Sequence, residues 1–169
     1  GSELWEHTYH CANGEVHNLQ DMAQALDNSC NLWFIQAAQT LQPTVFYDYI
    51  RAFGFTQPTG VDLPSETRWT SVYNAQQMAE VDTNLYTAAF GQNEAITPMQ
   101  MATAIAAIAN GGYLVTPYIV DSVTDNAGNI VSQTETNIRR QVISEEVSKE
   151  LLAMMENNVD PNGTASIRH

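Results

Sequence analysis

Thr97-Pro98, an apolar stretch free of helix breakers, and then Asn110-Gly111-Gly112 form the segment that most constrains how this chain can fold. Threonine is a good N-cap, proline suits the first helical position because no intrahelical bond is lost there, and Asn-Gly-Gly supplies the left-handed residues that end a helix. The spacing predicts a helix with Met101, Ala104, Ile105 and Ile108 on its inner face. Alanine on several faces places this helix in an interior, and a methionine and alanine stripe is core packing rather than a cofactor pocket. With 169 residues, 44% of them hydrophobic, the chain can build one domain around it.

Other segments are punctuated in the same manner. Leu19, Met22, Ala23 and Leu26 fall at i, i+3, i+4 and i+7 behind Asn18 as N-cap, and Leu32, Phe34, Ile35, Ala38 and Leu41 mark a second helix. Pro43 opens a third, carrying Phe46, Tyr49, Ile50 and Phe53 and closed by Gly54. Turn formers around Pro58-Thr59-Gly60 and Leu63-Pro64-Ser65 predict an ordered connector from Phe55 to about Thr70. Val72 to Val81 has modest helical character, whereas Leu85 to Phe90 is expected to be extended before Gly91-Gln92-Asn93 turns the chain. Tyr118 to Val123 and Asn129 to Ser132 flank Asp125-Asn126-Ala127-Gly128 as a β-hairpin. Ser144 caps a final helix with Glu145 and Glu146 in its first turn and Val147, Leu151, Met154 and Met155 on its apolar face. The predicted class is mainly α with one β-hairpin, an α+β chain without internal repeats.

Asp27-Asn28-Ser29-Cys30-Asn31 is a short polar break between the first two helices. Ser-x-Asn on a tight helix-to-helix corner can hold two small polar side chains rigidly toward a cleft. Taken alone, the triplet is better read as a plain N-cap, with the Ser29 hydroxyl accepting a backbone N–H of the next helix. A free-standing hydrolase built on Ser29 lacks an adjacent base: three of the four histidines lie in one N-terminal segment and the fourth is His169.

Six basic against nineteen acidic residues give a net charge of -13, which repels a phosphate backbone and argues against nucleic acid as a partner. The acidic residues are scattered and read as solvated surface. No run reaches the roughly 18 apolar residues of a membrane span, and no signal peptide precedes the first helix. The chain reads as soluble, with Gly1-Ser2 as a cloning scar. Cys11 and Cys30 can pair in an oxidising compartment or stay reduced. His7, His10, Cys11 and His17 approach metal-ligand spacing, but without the Cys-x-x-Cys pairs of structural zinc sites they read as histidines scattered through an irregular segment. No metal and no cofactor is expected.

Taken together, Asn28-Ser29-Cys30-Asn31, Ala52-Phe53-Gly54-Phe55, Thr59-Gly60-Val61-Asp62-Leu63-Pro64, Gly91-Gln92, Thr97-Pro98-Met99-Gln100-Met101-Ala102, Ala109-Asn110-Gly111-Gly112, Arg140-Gln141-Val142-Ile143-Ser144 and Gly163-Thr164 resemble, in order and spacing, the transpeptidase domain of class B penicillin-binding proteins, the peptidoglycan D,D-transpeptidases. The resemblance covers nearly the whole chain, and the Ser-Cys-Asn form is similar to versions in Gram-positive division, elongation and sporulation enzymes. That family uses a Ser-x-x-Lys carrying the nucleophile, the Ser-x-Asn and a Lys-Thr-Gly strand. Lys149 is the only lysine here, with Glu146 three residues before it and Glu150 after it, so the first and third motifs are absent.

The resemblance implies that residues 3–169 are a partial transpeptidase domain, mostly its helical subdomain, cut from an α/β penicillin-recognising fold with a central antiparallel sheet. It implies that the parent, on the extracytoplasmic face of the bacterial membrane, acylates a serine with a stem peptide, releases D-Ala and passes the acyl group to a second stem's amine, and that β-lactams imitate the donor. Ser29 would take part in proton transfer near the leaving group and Asn31 would hydrogen-bond the bound peptide or the active-site lysine. The chain alone is expected to be inactive, and apolar surface left by the missing parts would favour self-association. The competing expectation is a non-catalytic helical module that binds cell-wall or division partners.

Overall fold

A computed structural model describes residues 9–67 and 70–159. His7, Gly163-Thr164 and His169 lie outside the described residues. The elements run α1 (Met22–Asp27), α2 (Asn31–Gln39), α3 (Pro43–Ala52), α4 (Ala75–Glu80), α5 (Asp82–Ala89), α6 (Pro98–Ala109), β1 (Tyr113–Thr116), β2 (Ser122–Thr124), β3 (Ile130–Gln133), β4 (Asn137–Gln141) and α7 (Glu145–Val159). They fall into two compact units. The first takes its residues from Gly1–Tyr47, Tyr73–Glu94 and Glu150–His169, and the second from Asp48–Val72 and Ala95–Lys149.

In the first unit α2 packs against α5, with α1 and α4 beside them. Ile35, Ala38, Met78 and Leu85 are its buried apolar side chains together with Cys11, Ala25 and Cys30. The first helix starts later than its periodicity predicts: the N-cap is Asp21, in a reciprocal capping box with Gln24, and not Asn18. Gln20 lies before that cap and ties the lead-in segment to the corner and to α2, its carbonyl accepting from Trp33 Nε1 and its side chain from Asn28. Leu19 is consequently fully exposed rather than part of a buried stripe, and Leu41 is exposed too. Leu85 to Phe90, expected to be extended, is helical from Asp82 to Ala89. Tertiary packing decides it, because a helix there buries Leu85 and Thr87 and brings the Tyr86 hydroxyl to accept from Gln39 of α2.

The second unit contains α6, which has the foreseen Thr97 cap and Pro98 start, but its inner face is rotated. Gln100, Thr103, Ala104 and Ala107 are buried while Met101 and Ile105 are exposed. Gln100 explains the rotation. Its Oε1 accepts the Thr97 N–H in a capping box, and its Nε2 donates to the carbonyls of Gly54, Phe55 and Gln57. A buried amide with that many partners outweighs exposing two apolar side chains that can lie flat on the surface. Gly111 and Gly112 both take left-handed backbone, and a Cβ on Gly112 would sit 2.0 Å from the Ile143 carbonyl oxygen.

Two antiparallel pairs complete this unit. β2 and β3 form the predicted hairpin, with a first strand of Ser122–Thr124 in place of Tyr118 to Val123, closed by Asp125, whose carboxylate accepts the N–H groups of Ala127 and Asn129. The second pair, β1 with β4, was not visible as a pattern; Leu114 is its only buried residue. Ser144 caps α7 as predicted, accepting the Val147 N–H, but Val147 itself is exposed and Ser148 is buried, donating to the Ile108 carbonyl. Among the described residues no helix is long and apolar enough to cross a membrane.

Candidate active site

Ser29 is not the N-cap of α2. Cys30 occupies that position, and Ser29 lies at the end of α1 with φ of +48°. Its N–H donates to Leu26 and the Cys30 N–H donates to Ala25, the paired bonds of a Schellman ending in which the left-handed residue is normally glycine. A serine there carries about 1 kcal/mol of backbone strain, a feature that clusters where a side chain is needed for chemistry. The side chain is exposed.

Asn31 begins α2, so the corner separates the two polar side chains by one residue while aiming both into a single cleft of about 280 Å³. Leu26, Phe34, Ala89, Phe90 and Asn158 line it with them. Asn31 Nδ2 donates to the His10 carbonyl at 2.9 Å, which fixes the carboxamide and leaves its oxygen to accept from a ligand. Tyr9 meets Tyr86 and Phe90 edge-on, each at 6.0 Å between ring centres, and so holds one wall. Phe90 and Asn158 were missed from sequence, the first because its segment was not taken as helical, the second because nothing in the pattern of α7 marks its last turn.

Behind the corner are Cys11 and Cys30, both buried, unpaired, and 3.6 Å apart at sulfur. Burial pushes the Cys11 thiol up. Burial also acts on Cys30, but the Trp33 N–H and contacts from His17, Cys11 and Gln20 outweigh it and hold that thiol below its usual range. Of the three residues with metal-ligand spacing that are described, Cys11 and His17 come together, joined by Cys30, and His10 is exposed. Asp27, also at the corner, has Oδ1 buried without a partner among the described residues. In its chemistry the cleft offers a hydroxyl, a held carboxamide and aromatic walls. Among the described residues no lysine and no carboxylate lines it.

The sequence profile described as the penicillin binding protein transpeptidase domain matches residues 4–168. The chain therefore belongs to the penicillin-binding protein transpeptidase family. It is 36% identical over 147 residues to stage V sporulation protein D of Bacillus subtilis, covering 85% of this chain and 22% of that protein. The fold superposes with a TM-score of 0.77 on the D,D-transpeptidase domain of a peptidoglycan glycosyltransferase from Eggerthella lenta, at 24% identity over 92% of this chain and 40% of that one. Penicillin-binding protein A of Mycobacterium tuberculosis, solved as a ceftriaxone acyl-enzyme, matches with a TM-score of 0.67 and 27% identity, covering 80% of this chain and 29% of that one. The chain thus spans between a fifth and two fifths of the length of these relatives.

Proposed function

We propose that residues 3–169 supply the Ser-x-Asn wall of a peptidoglycan D,D-transpeptidase, with the acylated serine, its lysine and the Lys-Thr-Gly strand belonging to other parts of the parent protein. The observation that carries this reading is the convergence of Ser29 and Asn31 on one cleft, Ser29 in a left-handed backbone normally reserved for glycine. In that role the Ser29 hydroxyl donates and accepts in one relay, passing a proton toward the leaving D-Ala amine, while the Asn31 carboxamide oxygen accepts from the stem peptide or from the lysine. Stem peptides and β-lactams are the ligands, and the parent works on the extracytoplasmic face of the membrane.

The chain alone has no Ser-x-x-Lys, and among the described residues no base stands beside Ser29, so it forms no penicillin acyl-enzyme. Intact-mass spectrometry after incubation with benzylpenicillin tests this: the chain stays unmodified, whereas the whole protein gains one penicillin. An adduct on the isolated chain would overturn the reading. In the whole protein, Ser29→Ala and Asn31→Ala each slow acylation by roughly 10-fold or more.

The second reading, a binding module that uses the scaffold without chemistry, draws on the hairpin β2–β3, where Val123, Ile130 and Val131 are each at least half exposed. It predicts that acylation of the whole protein is indifferent to Ser29→Ala. Self-association of the chain alone through this ribbon is expected under either reading, and sedimentation velocity measures it.

A further inference from the structure

Cys11, His17 and Cys30 come from three places in the sequence, and the first two were read as parts of a different set. The fold gathers their ligand atoms within 4.8 Å of one another. We propose that these three side chains bind a zinc ion, which pins the segment preceding α1 to the start of α2.

The geometry supports a metal on several independent counts. Zinc holds thiolate sulfur at about 2.3 Å, so two sulfurs on one tetrahedral zinc lie about 3.8 Å apart. The observed separation is 3.6 Å. Inward movement of about 1 Å by the imidazole completes three ligands at bonding distance. His17 already has the arrangement of a metal-bound histidine. Its Nε2 lies 3.5 Å from a Glu15 carboxylate oxygen, and its Nδ1 is buried with no hydrogen-bond partner among the described residues. A small approach of the Glu15 carboxylate to Nε2 would fix the tautomer that leaves the other nitrogen free for a cation. A buried imidazole nitrogen without a partner is costly unless something occupies it.

Sulfur and nitrogen donors select zinc over magnesium or calcium, which take oxygen. Two thiolates neutralise the dication, and the backbone N–H groups of Asn31 and Leu32 face the Cys11 sulfur, as the Trp33 N–H faces that of Cys30. The fourth position faces a cavity of about 430 Å³ lined by Cys11, His17, Cys30, Glu15, Gln20 and neighbouring residues, so water or a further ligand can reach it. Cys30 is the middle residue of the Ser-x-Asn triplet, yet the proposal stands on the cluster alone and not on the catalytic reading of Ser29.

The whole protein, purified under reducing conditions without chelator, is analysed for zinc by mass spectrometry of the elements. About one equivalent is expected, with Cys11→Ser, Cys30→Ser and His17→Ala each weakening affinity by roughly 10-fold or more and His10→Ala leaving it unchanged. Because a cysteine variant can fail to fold, cobalt loading of the unmodified protein gives a second reading: thiolate-to-cobalt charge transfer in the near ultraviolet together with intense tetrahedral visible bands. Substoichiometric zinc with both thiols freely titratable overturns the proposal. So does native protein lighter by two hydrogens with no titratable thiol, which would make the pair a disulfide. Neither result bears on penicillin acylation, so failure here is distinguishable from failure of the transpeptidase reading.

Discussion

Carboxylates are treated in opposite ways in the two units. In the second, Glu66 accepts the Thr59 N–H and hydroxyl and the Gly60 N–H, and these donors, with Arg139, hold it below the usual range despite its desolvation. Asp62 similarly accepts the Val120 and Ile119 N–H groups, which depress its pKa. In the first unit Glu94 has one long bond, from the Tyr73 N–H at 3.4 Å, and a buried second oxygen with no partner among the described residues. His17 Nδ1 and Asp27 Oδ1 in the same unit are also buried without partners, whereas the second unit has only Arg140 Nε in that state among the described residues. Saturated polar groups make rigid scaffold, and unsatisfied ones are retained where ligands or protons are handled. The unit bearing Ser29 and Asn31 is the under-satisfied one.

Breaking the scaffold should therefore cost far more stability than altering the corner. The largest effect is expected for Gly112→Ala. Its Cβ would collide with the Ile143 carbonyl in a backbone that favours glycine, so a loss of more than about 3 kcal/mol is expected, read by urea denaturation. Gln100→Leu follows. It keeps the volume but leaves the carbonyl of Gln57, which Gln100 meets at 2.8 Å, and those of Gly54 and Phe55 without their shared donor, at about 2 kcal/mol. If either variant unfolds no more readily than the unmodified chain, the description of the second unit as a saturated scaffold is wrong.

Ser29→Gly acts in the other direction. Glycine relieves the left-handed strain at this position but has more freedom to lose on folding, so a net gain of about 0.5 kcal/mol is expected in thermal unfolding. The same substitution should slow penicillin acylation of the whole protein as Ser29→Ala does. Stability rising while activity falls would mark the strain as retained for function. A loss of stability would mean that the hydroxyl holds the corner together.

How much of this was legible follows from which interactions are local. Thr97, Pro98, Gly54, Ser144 and the Asp125 turn act within a few residues of themselves, and their helix ends and hairpin are where the sequence puts them. Thr97-x-x-Gln100 was also a readable capping box and could have exposed the true inner face of α6, but apolar periodicity drew attention to Met101 and Ile105 instead. By contrast, α5 is decided by packing on α2, and β1–β4 pairs segments about two dozen residues apart. Ser29 and Asn31 could be singled out because they lie two residues apart in one short motif. Cys30 was overlooked as a ligand because its partners His17 and Cys11 reach it only through the fold.

The smallest expected effect tests the contrast most directly. Burial raises Glu94 from 4.5 to about 7, opposed only by the Tyr73 N–H. The folded state therefore holds a proton that the unfolded chain releases near 4.5, and between 4.5 and about 7 folding is favoured by lower pH. The contribution is fully present below 4.5 and is lost as pH rises through about 7, the reverse of what depressed Glu66 and Asp62 do. Because Glu94 is only partly buried, solvent screening reduces the effect to a melting-temperature difference of about 1 °C. Thermal unfolding at pH values across that window should show the unmodified protein losing stability relative to Glu94→Gln, which stays neutral throughout. Parallel curves for the two proteins would mean that water or another group already satisfies the second oxygen, and the first unit would then be as well satisfied at Glu94 as the second is at Glu66.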